Sequence, residues 1–294
     1  MTGQLPHPLR AGDRVQLAAA SSALDNLERL EAGSAVLQSW GLQVESHPEP
    51  LRRWGYLAGA DLQRHGDLLP PAPLTACIRG GWGAARLLEA HQSLSLPDGW
   101  LLGFSDVTSL LWAQRTQGRC GGIHGPLVTT LASEPAWSQE RLRQLLFGEP
   151  LADLTGEAWK AGVAIGPLLV GNLTVATHLL GTPHLPDLRG AVLVLEDVGE
   201  APYRIDRMLT HWRLSGALQQ LAGIGFGSFS HCNDDDARDP DTCFSLEQVL
   251  RERTADLGIP VLAQLPVGHE PGNAALPLGV QVRLDAHRGV LQVL

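Results

Sequence analysis

Short apolar runs alternate with amphipathic segments along the first half of the chain. The run Arg14–Ala20 follows a turn-forming Ala-Gly-Asp and predicts a strand, and the spacing of apolar residues between Leu24 and Trp40 predicts a helix. Four more elements continue the alternation of strand and helix: Leu74–Ile78, Ala84–His91, Trp100–Phe104 and Val107–Gln114. Strands that alternate with helices are typical of a parallel sheet covered on both faces. The first half therefore predicts an α/β domain.

The second half of the chain has a more mixed pattern. Between Leu127 and about Gly166 it is irregular, apart from one helix predicted at Ser138–Phe147, and we expect a domain boundary near residue 150. Helices and strands then follow without strict alternation: helix Asn172–Leu180, strand Ala191–Leu195, helix Tyr203–Gln219, strand Ile224–Phe229, helix Leu246–Leu257, strand Val261–Leu265 and a terminal hairpin at Val280–Leu294. These elements predict an α/β domain at residues 1–150 and an α+β domain at residues 151–294.

Composition and charge exclude several classes of protein. The formal net charge is -9 and the isoelectric point is near 5.6, which argues against nucleic acid as a partner because phosphate binding needs an excess of Lys and Arg. No window of the sequence approaches the roughly 18 uninterrupted apolar residues of a membrane span, and its first residues lack the apolar core of a signal peptide. The four cysteines form no C-x-x-C pair, so we expect reduced thiols, no metal site and a cytoplasmic protein.

Ser105 lies where a predicted strand runs into a predicted helix. In parallel α/β sheets, functional groups gather at the carboxyl ends of the strands, and the unpaired N–H groups of a helix start can stabilise an oxyanion. Serine and aspartate at this place are also ordinary N-cap residues, so Ser105 and Asp106 fit either role. The G-x-S-x-G pattern is not met, since Val107 occupies its last position. The local sequence leaves nucleophile and helix cap open as alternatives.

A serine nucleophile needs a base, and an acid that orients the base. His269 lies in a loop rich in glycine and proline after a predicted strand, and His124 lies in a similar setting, so the residues alone do not separate the two. Glu196 and Asp197 end the most apolar predicted strand, where a carboxylate without a partner would be costly. Either is a candidate acid, and a polar strand end at a domain surface is the alternative.

Two further stretches are candidates for binding. The glycines of Arg79–Gly83 allow a backbone to approach a ligand and to present N–H groups to an anion, although both phosphate-binding glycine motifs are absent and a plain turn is the alternative. The acidic stretch Asn233–Asp241 lacks the glycine-spaced pattern of a calcium loop. Adjacent carboxylates of this kind are more typical of a solvated turn, which is our prediction for the acidic stretch.

Taken together, the sequence resembles the LD-carboxypeptidase family of serine peptidases, which has relatives among the microcin C self-immunity peptidases. Eleven stretches carry the resemblance, in order and over nearly the whole chain: Leu9–Val15, Gly55–Asp61, Ile78–Gly83, Gly103–Thr108, His124–Pro126, Gly171–Leu173, Leu180–Pro183, Leu193–Asp197, Tyr203–Leu209, Gly225–Phe229 and Gly268–Glu270. Three positions depart from the family pattern, and one of them is Val170, which precedes the Gly-Asn pair. No proline follows Ala20, and Trp82 replaces the tyrosine of R-G-G-Y-G. We expect these departures to affect substrate choice rather than catalysis.

The resemblance implies a fold and a set of catalytic residues. The implied fold is a Rossmann-like N-terminal domain with a parallel sheet, followed by a C-terminal α+β domain with a small β-rich core. Matched by motif, Ser105 is the nucleophile, Glu196 the acid and His269 the base. The backbone N–H groups of Asp106 and Gly81 would form the oxyanion hole.

The resemblance also implies a reaction and a substrate. The reaction is amide hydrolysis without metal or cofactor, which releases terminal D-Ala from a murein tetrapeptide, and the enzyme is expected to be a homodimer. Arg79 and Arg204 are candidates for binding a carboxylate, with a structural salt bridge as the alternative for each, and Trp82 is a candidate substrate contact. Two other functions are open: a self-immunity peptidase that cleaves an aminoacyl-nucleotide antibiotic, and a non-catalytic binding protein on the same scaffold.

Overall fold

In the computed structural model, the chain folds into two compact units. The residues that it describes are 5–89, 96–233 and 243–294. One unit contains the chain up to Leu151 together with Pro271–Gly279, and the other contains Ala152–Glu270 and Val280–Leu294. Part of the domain predicted at 151–294 is therefore packed with the first unit. The acidic stretch from residue 234 onward, and the last two residues of the helix predicted at 84–91, lie outside the described residues.

The first unit is built on a six-stranded sheet in the order β12-β5-β4-β3-β1-β2. Its strands are β1 (Arg14–Ala18), β2 (Gln43–Val44), β3 (Leu74–Cys77), β4 (Trp100–Gly103), β5 (Gly122–His124) and β12 (Leu276–Pro277). Every neighbouring pair is parallel except β12 with β5, which is antiparallel. All residues of β3 and β4 are buried, as expected for strands with both faces covered. The predicted parallel α/β architecture is confirmed.

Helices and one short 3₁₀ turn connect the strands of the first unit. They are α1 (Glu28–Ser39), α2 (Asp61–Gly66), α3 (Ala84–Glu89), the 3₁₀ turn Ser105–Val107, α4 (Thr108–Thr116), α5 (Val128–Leu131) and α6 (Ala136–Phe147). Helix α1 buries Leu30, Gly33 and Leu37. Gly33 is needed where α1 packs on α5, because a Cβ at this position would lie 1.7 Å from the carbonyl oxygen of Val128.

The second unit is built on an eight-stranded sheet in the order β6-β14-β13-β8-β9-β10-β11-β7. Its strands are β6 (Leu154–Thr155), β7 (Glu157–Lys160), β8 (Val163–Asn172), β9 (Val192–Val198), β10 (Gly223–Ser230), β11 (Val261–Ala263), β13 (Gln281–Asp285) and β14 (Val290–Val293). Strands β8 to β11 are parallel, and the strands outside them pair in antiparallel fashion. Strand β9 lies between β8 and β10, which explains why its sequence is the most apolar run of the chain.

The helices of the second unit are α7 (Leu173–His178), α8 (Pro202–Leu214) and α9 (Leu246–Thr254), with a 3₁₀ turn at Leu218–Gln220. Helices α7 and α8 follow β8 and β9 directly in the chain. Because β8 and β9 are parallel neighbours, both helices begin at the same edge of the sheet. None of the helices in the described parts of the chain is long and apolar enough to cross a membrane.

Two sequence predictions for local structure are wrong. The helix predicted at Tyr203–Gln219 ends at Leu214, where the chain turns through Gly216 in the left-handed region (φ +72°). The stretch up to Gly166 is not irregular, since it contains α5, α6, β6, β7 and the start of β8. Val163 and Ile165 of β8 are apolar but exposed, so that strand shows no alternation of polar and apolar residues. The hairpin predicted at the end of the chain is confirmed by the pairing of β13 with β14.

Candidate active site

Ser105 sits immediately after β4 in a backbone conformation that serine rarely adopts. Its φ is +62°, in the left-handed region, whereas the preceding Phe104 is extended. Such a conformation costs a non-glycine residue on the order of 1–3 kcal/mol and is concentrated at functional sites. The N-cap positions of the 3₁₀ turn and of α4 are Phe104 and Val107, and neither makes a side-chain cap bond. The helix-cap alternative for Ser105 therefore has no geometric support.

Gly80 lies directly against Ser105. A Cβ placed on Gly80 would be 3.0 Å from the Cβ and 3.1 Å from the Oγ of Ser105. The next residue, Gly81, has a φ of +104°, and a Cβ there would lie 2.4 Å from the Oγ of Ser22. The glycine pair thus brings a bare backbone beside the serine hydroxyl. Sequence reasoning singled out Gly81 and missed the closer approach of Gly80, although both lie in the same R-G-G-W-G stretch.

Asp106 connects the turn after Ser105 to the start of α3. Its carboxylate is fully buried, and Oδ2 accepts a hydrogen bond of 2.8 Å from the backbone N–H of Ala84. Burial raises the pKa of Asp106, and the hydrogen bond from Ala84 opposes this rise. The side chain therefore holds the serine turn against the segment that follows the glycine loop.

Arg79 and Trp82 flank the glycine pair. The Nη1 of Arg79 donates a 2.6 Å hydrogen bond to the carbonyl oxygen of Ala23 and lies 3.9 Å from the carboxylate of Asp25. The backbone N–H of Trp82 donates to the Oγ of Ser22, and its indole ring is 39% exposed. Arg79 is thus partly engaged by protein groups, whereas Trp82 presents an apolar face to solvent.

His124, the rival candidate for the base, belongs to the core of the first unit. It lies in β5, opposite Gly103 of β4, and its side chain is completely buried. Its ring meets the Phe104 ring edge-on, with the centroids 5.7 Å apart. This setting is that of a packed structural histidine.

Glu196 and His269 are brought together in the second unit. The Oε2 of Glu196, a fully buried side chain of β9, lies 2.6 Å from the Nδ1 of His269. His269 follows β11 in a loop that contains Gly268, whose φ is +132°. A Cβ on Gly268 would lie 2.3 Å from the Oγ of Ser228 and 3.1 Å from the Oε2 of Glu196. Only glycine at this position lets the histidine loop approach the carboxylate so closely.

The Glu196 carboxylate determines the electrostatics of His269. Burial lowers the pKa of His269, but the hydrogen bond and the charge of Glu196, with a smaller contribution from Asp197, raise it more, so the net shift is upward. Within the described residues, the Oε1 of Glu196 has no hydrogen-bond partner. A proton on Nδ1 facing Glu196 leaves Nε2 of the neutral ring as the acceptor, which is the arrangement of a general base.

Asp197 has a different environment from its neighbour Glu196. Its Oδ1 accepts hydrogen bonds from the Asn172 side chain (3.0 Å) and the Val198 N–H (2.8 Å), and its Oδ2 accepts from the N–H (2.9 Å) and the hydroxyl (2.8 Å) of Thr174. Burial raises the pKa of Asp197, these hydrogen bonds lower it, and the charge of Glu196 adds to the rise. Asp197 thus ties β9 to the start of α7. Sequence reasoning missed the partner Asn172, although it lies in the Gly-Asn-Leu stretch.

Arg204 lines a cavity of about 340 Å³ in the groove between α7 and α8. The lining residues are Thr174, Thr177, His178, Glu200, Arg204, Arg207, Met208 and His211. The Nε of Arg204 donates a 3.1 Å hydrogen bond to the hydroxyl of Tyr203, and its Nη1 lies 3.4 Å from the carboxylate of Glu200. Arg207, in the same cavity, was missed at the level of sequence.

The predicted site residues thus form three groups. Ser105 and Asp106 lie together with the glycine loop that contains Arg79, Gly81 and Trp82. Glu196 and His269 form a pair, and Arg204 lines the α7–α8 cavity. Across the described ranges, no three or more His, Cys, Asp or Glu side chains are grouped so that they could hold a metal ion.

Both units match models of one protein family. Residues 15–125 match the LD-carboxypeptidase N-terminal domain, and residues 165–284 match the LD-carboxypeptidase C-terminal domain. The two matches together cover most of the chain and fall one in each half of the sequence.

Known proteins with similar sequences or structures include carboxypeptidases and a self-immunity protein. The chain is 48% identical to a carboxypeptidase-named protein of Synechocystis sp. over 296 residues, covering 98% of this chain and 97% of the relative. It is 34% identical over 302 residues to the murein tetrapeptide carboxypeptidase of Pseudomonas aeruginosa, covering 94% of each. A solved structure of the microcin C7 self-immunity protein MccF in its wild-type apo state matches with a TM-score of 0.84 at 19% identity, covering 99% of this chain and 98% of that one. The likeness to MccF concerns the fold alone.

Proposed function

Because this chain belongs to the LD-carboxypeptidase family, and is therefore a serine-type carboxypeptidase, we propose that it releases terminal D-Ala from murein tetrapeptides. The bond cut joins the L-configured centre of diaminopimelate, or its replacement, to D-Ala. The 34% identity with a relative named for this substrate supports the proposal. We further propose that the protein acts in cell-wall recycling, that it is cytoplasmic and that it is a homodimer.

The observation that carries the proposed chemistry is the pairing of Glu196 with His269 at 2.6 Å. In the proposed triad, Nε2 of His269 accepts the proton of Ser105 as its Oγ attacks the scissile carbonyl carbon. His269 then gives this proton to the leaving amine of D-Ala. Water hydrolyses the acyl-enzyme with His269 again as the base, and Glu196 stabilises the imidazolium formed in each step.

The oxyanion of the tetrahedral intermediate needs N–H donors beside Ser105. We assign these donors to the backbone of Asp106 and Gly81. The left-handed conformation of Ser105 supports this assignment, because it turns the chain sharply between β4 and the N–H groups of the following turn. The close approach of Gly80 to the serine side chain supports it as well, since it places the glycine loop at the nucleophile.

A carboxypeptidase must also bind a carboxylate of its substrate. Arg79 and Arg204 keep this role in the proposal, and Trp82 offers an exposed apolar face for substrate contact. Each arginine is hydrogen-bonded to protein groups, so either would have to exchange a partner when substrate binds.

Mass spectrometry of L-Ala-γ-D-Glu-mDAP-D-Ala incubated with the protein tests the proposal. We expect the wild type to release D-Ala and the Ser105→Ala and His269→Ala variants to release none above background. Release by Ser105→Ala at the wild-type rate would exclude Ser105 as the nucleophile. Absence of release by the wild type, together with cleavage of an aminoacyl-adenylate amide, would replace the murein peptide with the substrate class of the self-immunity peptidases.

A further inference from the structure

We propose that the α7–α8 cavity binds a carboxylate group of the peptide substrate and that Arg207 is the residue that binds it. This inference rests on the proposed function, because it assumes a peptide that carries several carboxylates. It adds a specificity-determining residue that lies outside the proposed triad and oxyanion hole. The cavity and all the residues used in the argument belong to the second unit.

The cavity begins at the edge of the sheet that carries Glu196. Thr174, in the first turn of α7, lines the cavity and hydrogen-bonds Asp197, the neighbour of Glu196 in β9. Glu200, another lining residue, follows β9 just before α8 begins. In parallel sheets, ligands bind outside the carboxyl ends of the strands, which is where this cavity starts.

Arg207 is a cavity arginine whose hydrogen-bond donors meet no protein acceptor in the described parts of the chain. Within the described residues, its guanidinium has no hydrogen-bond or ion-pair partner and lies only over the Tyr203 ring, 5.9 Å from the centroid. Arg204, one turn earlier in α8, is bound by the Tyr203 hydroxyl and faces Glu200. The donors of Arg207 are therefore available to a ligand.

The two threonine hydroxyls of the cavity are already hydrogen-bonded to protein groups. The hydroxyl of Thr174 bonds Asp197, and the hydroxyl of Thr177 donates to the carbonyl oxygen of Leu173 and accepts from the Trp212 indole. These bonds hold the wall of the cavity in place. A ligand that enters the cavity thus meets a fixed polar wall on α7 and a free guanidinium on α8.

The charge of the lining suits a carboxylate. With its histidines neutral, the lining has two arginines and one glutamate, hence a net charge of +1. One net positive charge matches a carboxylate monoanion, whereas Glu200 would repel the second charge of a phosphate dianion. A guanidinium presents paired N–H donors that match the two oxygens of a carboxylate, and the Tyr203 ring lies within cation–π distance of Arg207.

Steady-state kinetics on matched peptides tests this assignment. We expect Arg207→Ala to raise KM for the free tetrapeptide by about tenfold or more with little change in kcat, and Arg207→Lys to recover part of the loss. The control is Arg189→Ala, which removes an exposed arginine of the same unit outside the cavity and should leave KM unchanged. Circular dichroism would check that each variant is folded.

The carboxylate is identified by blocking each one in turn. Peptides amidated at the D-Glu, the diaminopimelate or the D-Ala carboxyl are compared in wild type and Arg207→Ala. For one of them we expect both proteins to have the same KM, because the group that Arg207 binds is gone. An unchanged KM of Arg207→Ala for the free peptide, or an equal rise for all three amides, would overturn the assignment.

Binding separates this inference from the proposed function. Calorimetric titration of Ser105→Ala with the free tetrapeptide needs no turnover, and adding Arg207→Ala should weaken binding by about tenfold. Wild type that binds the peptide in an Arg207-dependent way without releasing D-Ala would refute the proposed reaction and leave the carboxylate site in place. Release of D-Ala with binding unaffected by Arg207→Ala would refute the carboxylate site alone.

Discussion

The Nδ1 of His269 lies 2.6 Å from the Oε2 of Glu196. The Oε1 of this buried carboxylate has no hydrogen-bond partner among the described residues. Backbone N–H groups of Thr174 and Val198 share the charge of Asp197, whereas no N–H group of the described residues donates to the Oε1 of Glu196. A carboxylate in a low-dielectric setting acts strongly on the one polar group that faces it. The imidazole of His269 is consequently easier to protonate than an ordinary histidine.

This pairing predicts the acidic limb of the pH profile. In the proposed triad, His269 must be neutral to accept a proton from Ser105, and its pKa is raised above the ordinary value of 6.5. We therefore expect kcat/KM to fall as pH drops, with an apparent pKa above 6.5. In Glu196→Gln the charge that raises the pKa is lost, so the limb should move to lower pH while kcat falls roughly 10³- to 10⁴-fold.

The same shift has a consequence for stability. Because the folded state holds the His269 proton more tightly, this group stabilises the fold below pH 6.5, and the contribution is lost as pH rises through the raised folded-state pKa. We expect the melting temperature to depend less on pH in Glu196→Gln than in the wild type, measured from about pH 5 to about pH 9. Glu247→Gln, an exposed carboxylate on α9, is the control for both measurements. A Glu196→Gln variant with the acidic limb of the wild type would contradict the assigned pair.

The contact between Gly80 and Ser105 predicts a second effect on activity. In Gly80→Ala, the new methyl group would stand 3.0 Å from the Cβ of Ser105, so the serine must shift by a few tenths of an ångström. We expect a loss of about tenfold in kcat, because small displacements of reacting atoms are costly to catalysis. Gly66→Ala is the matched control, since a Cβ there meets nothing within 4 Å, and it should keep full activity. Equal kcat values for the two variants would show that the Gly80 contact does not position the proposed nucleophile, Ser105.

The sequence predicts the alternation of strands and helices in the first unit because β3 and β4 are buried on both faces and appear as short apolar runs. The start of β8 is not predicted, because Val163 and Ile165 are apolar although exposed, and the strand therefore lacks a polar–apolar alternation. Nor does the sequence predict the place of the segment Pro271–Gly279, which adds β12 to the sheet of the first unit. That pairing joins residues far apart in the chain, so no local pattern can predict it.

The site residues differ in how far the sequence could specify them. Glu196 and Asp197 were equivalent candidates while the strand was predicted to end before them. Strand β9 continues to Val198, so the two side chains point to opposite faces of the sheet and have different partners. His124 and His269 are equivalent as predicted loop histidines, and they differ in the structure by burial and by the Glu196 carboxylate that faces His269. The left-handed backbone of Ser105 likewise depends on tertiary packing.

Asp197 is predicted to act on stability rather than on the chemical step. Its carboxylate accepts four hydrogen bonds, and Asp197→Ala would remove all four, which come from Asn172, Thr174 and Val198. We expect the free energy of unfolding to fall by about 3 kcal/mol, measured by urea denaturation. Glu196→Gln should show the opposite balance, with a large loss of kcat and a smaller loss of stability. Equal stability losses in the two variants would contradict this division of roles.

Glu134 is predicted to fix the chain just beyond the histidine loop. Its Oε2 accepts hydrogen bonds from the N–H groups of Gly272 (2.7 Å) and Asn273 (3.0 Å), three and four residues after His269. Glu134→Ala should lower the free energy of unfolding by about 2 kcal/mol and speed amide hydrogen exchange at these two residues, measured by mass spectrometry. Glu134→Gln keeps an acceptor oxygen and should retain most of the protection, and Glu140→Ala, on the exposed side of α6, should change neither. If Glu134→Gln lost as much protection as Glu134→Ala, the negative charge rather than the hydrogen bonds would be what holds this segment.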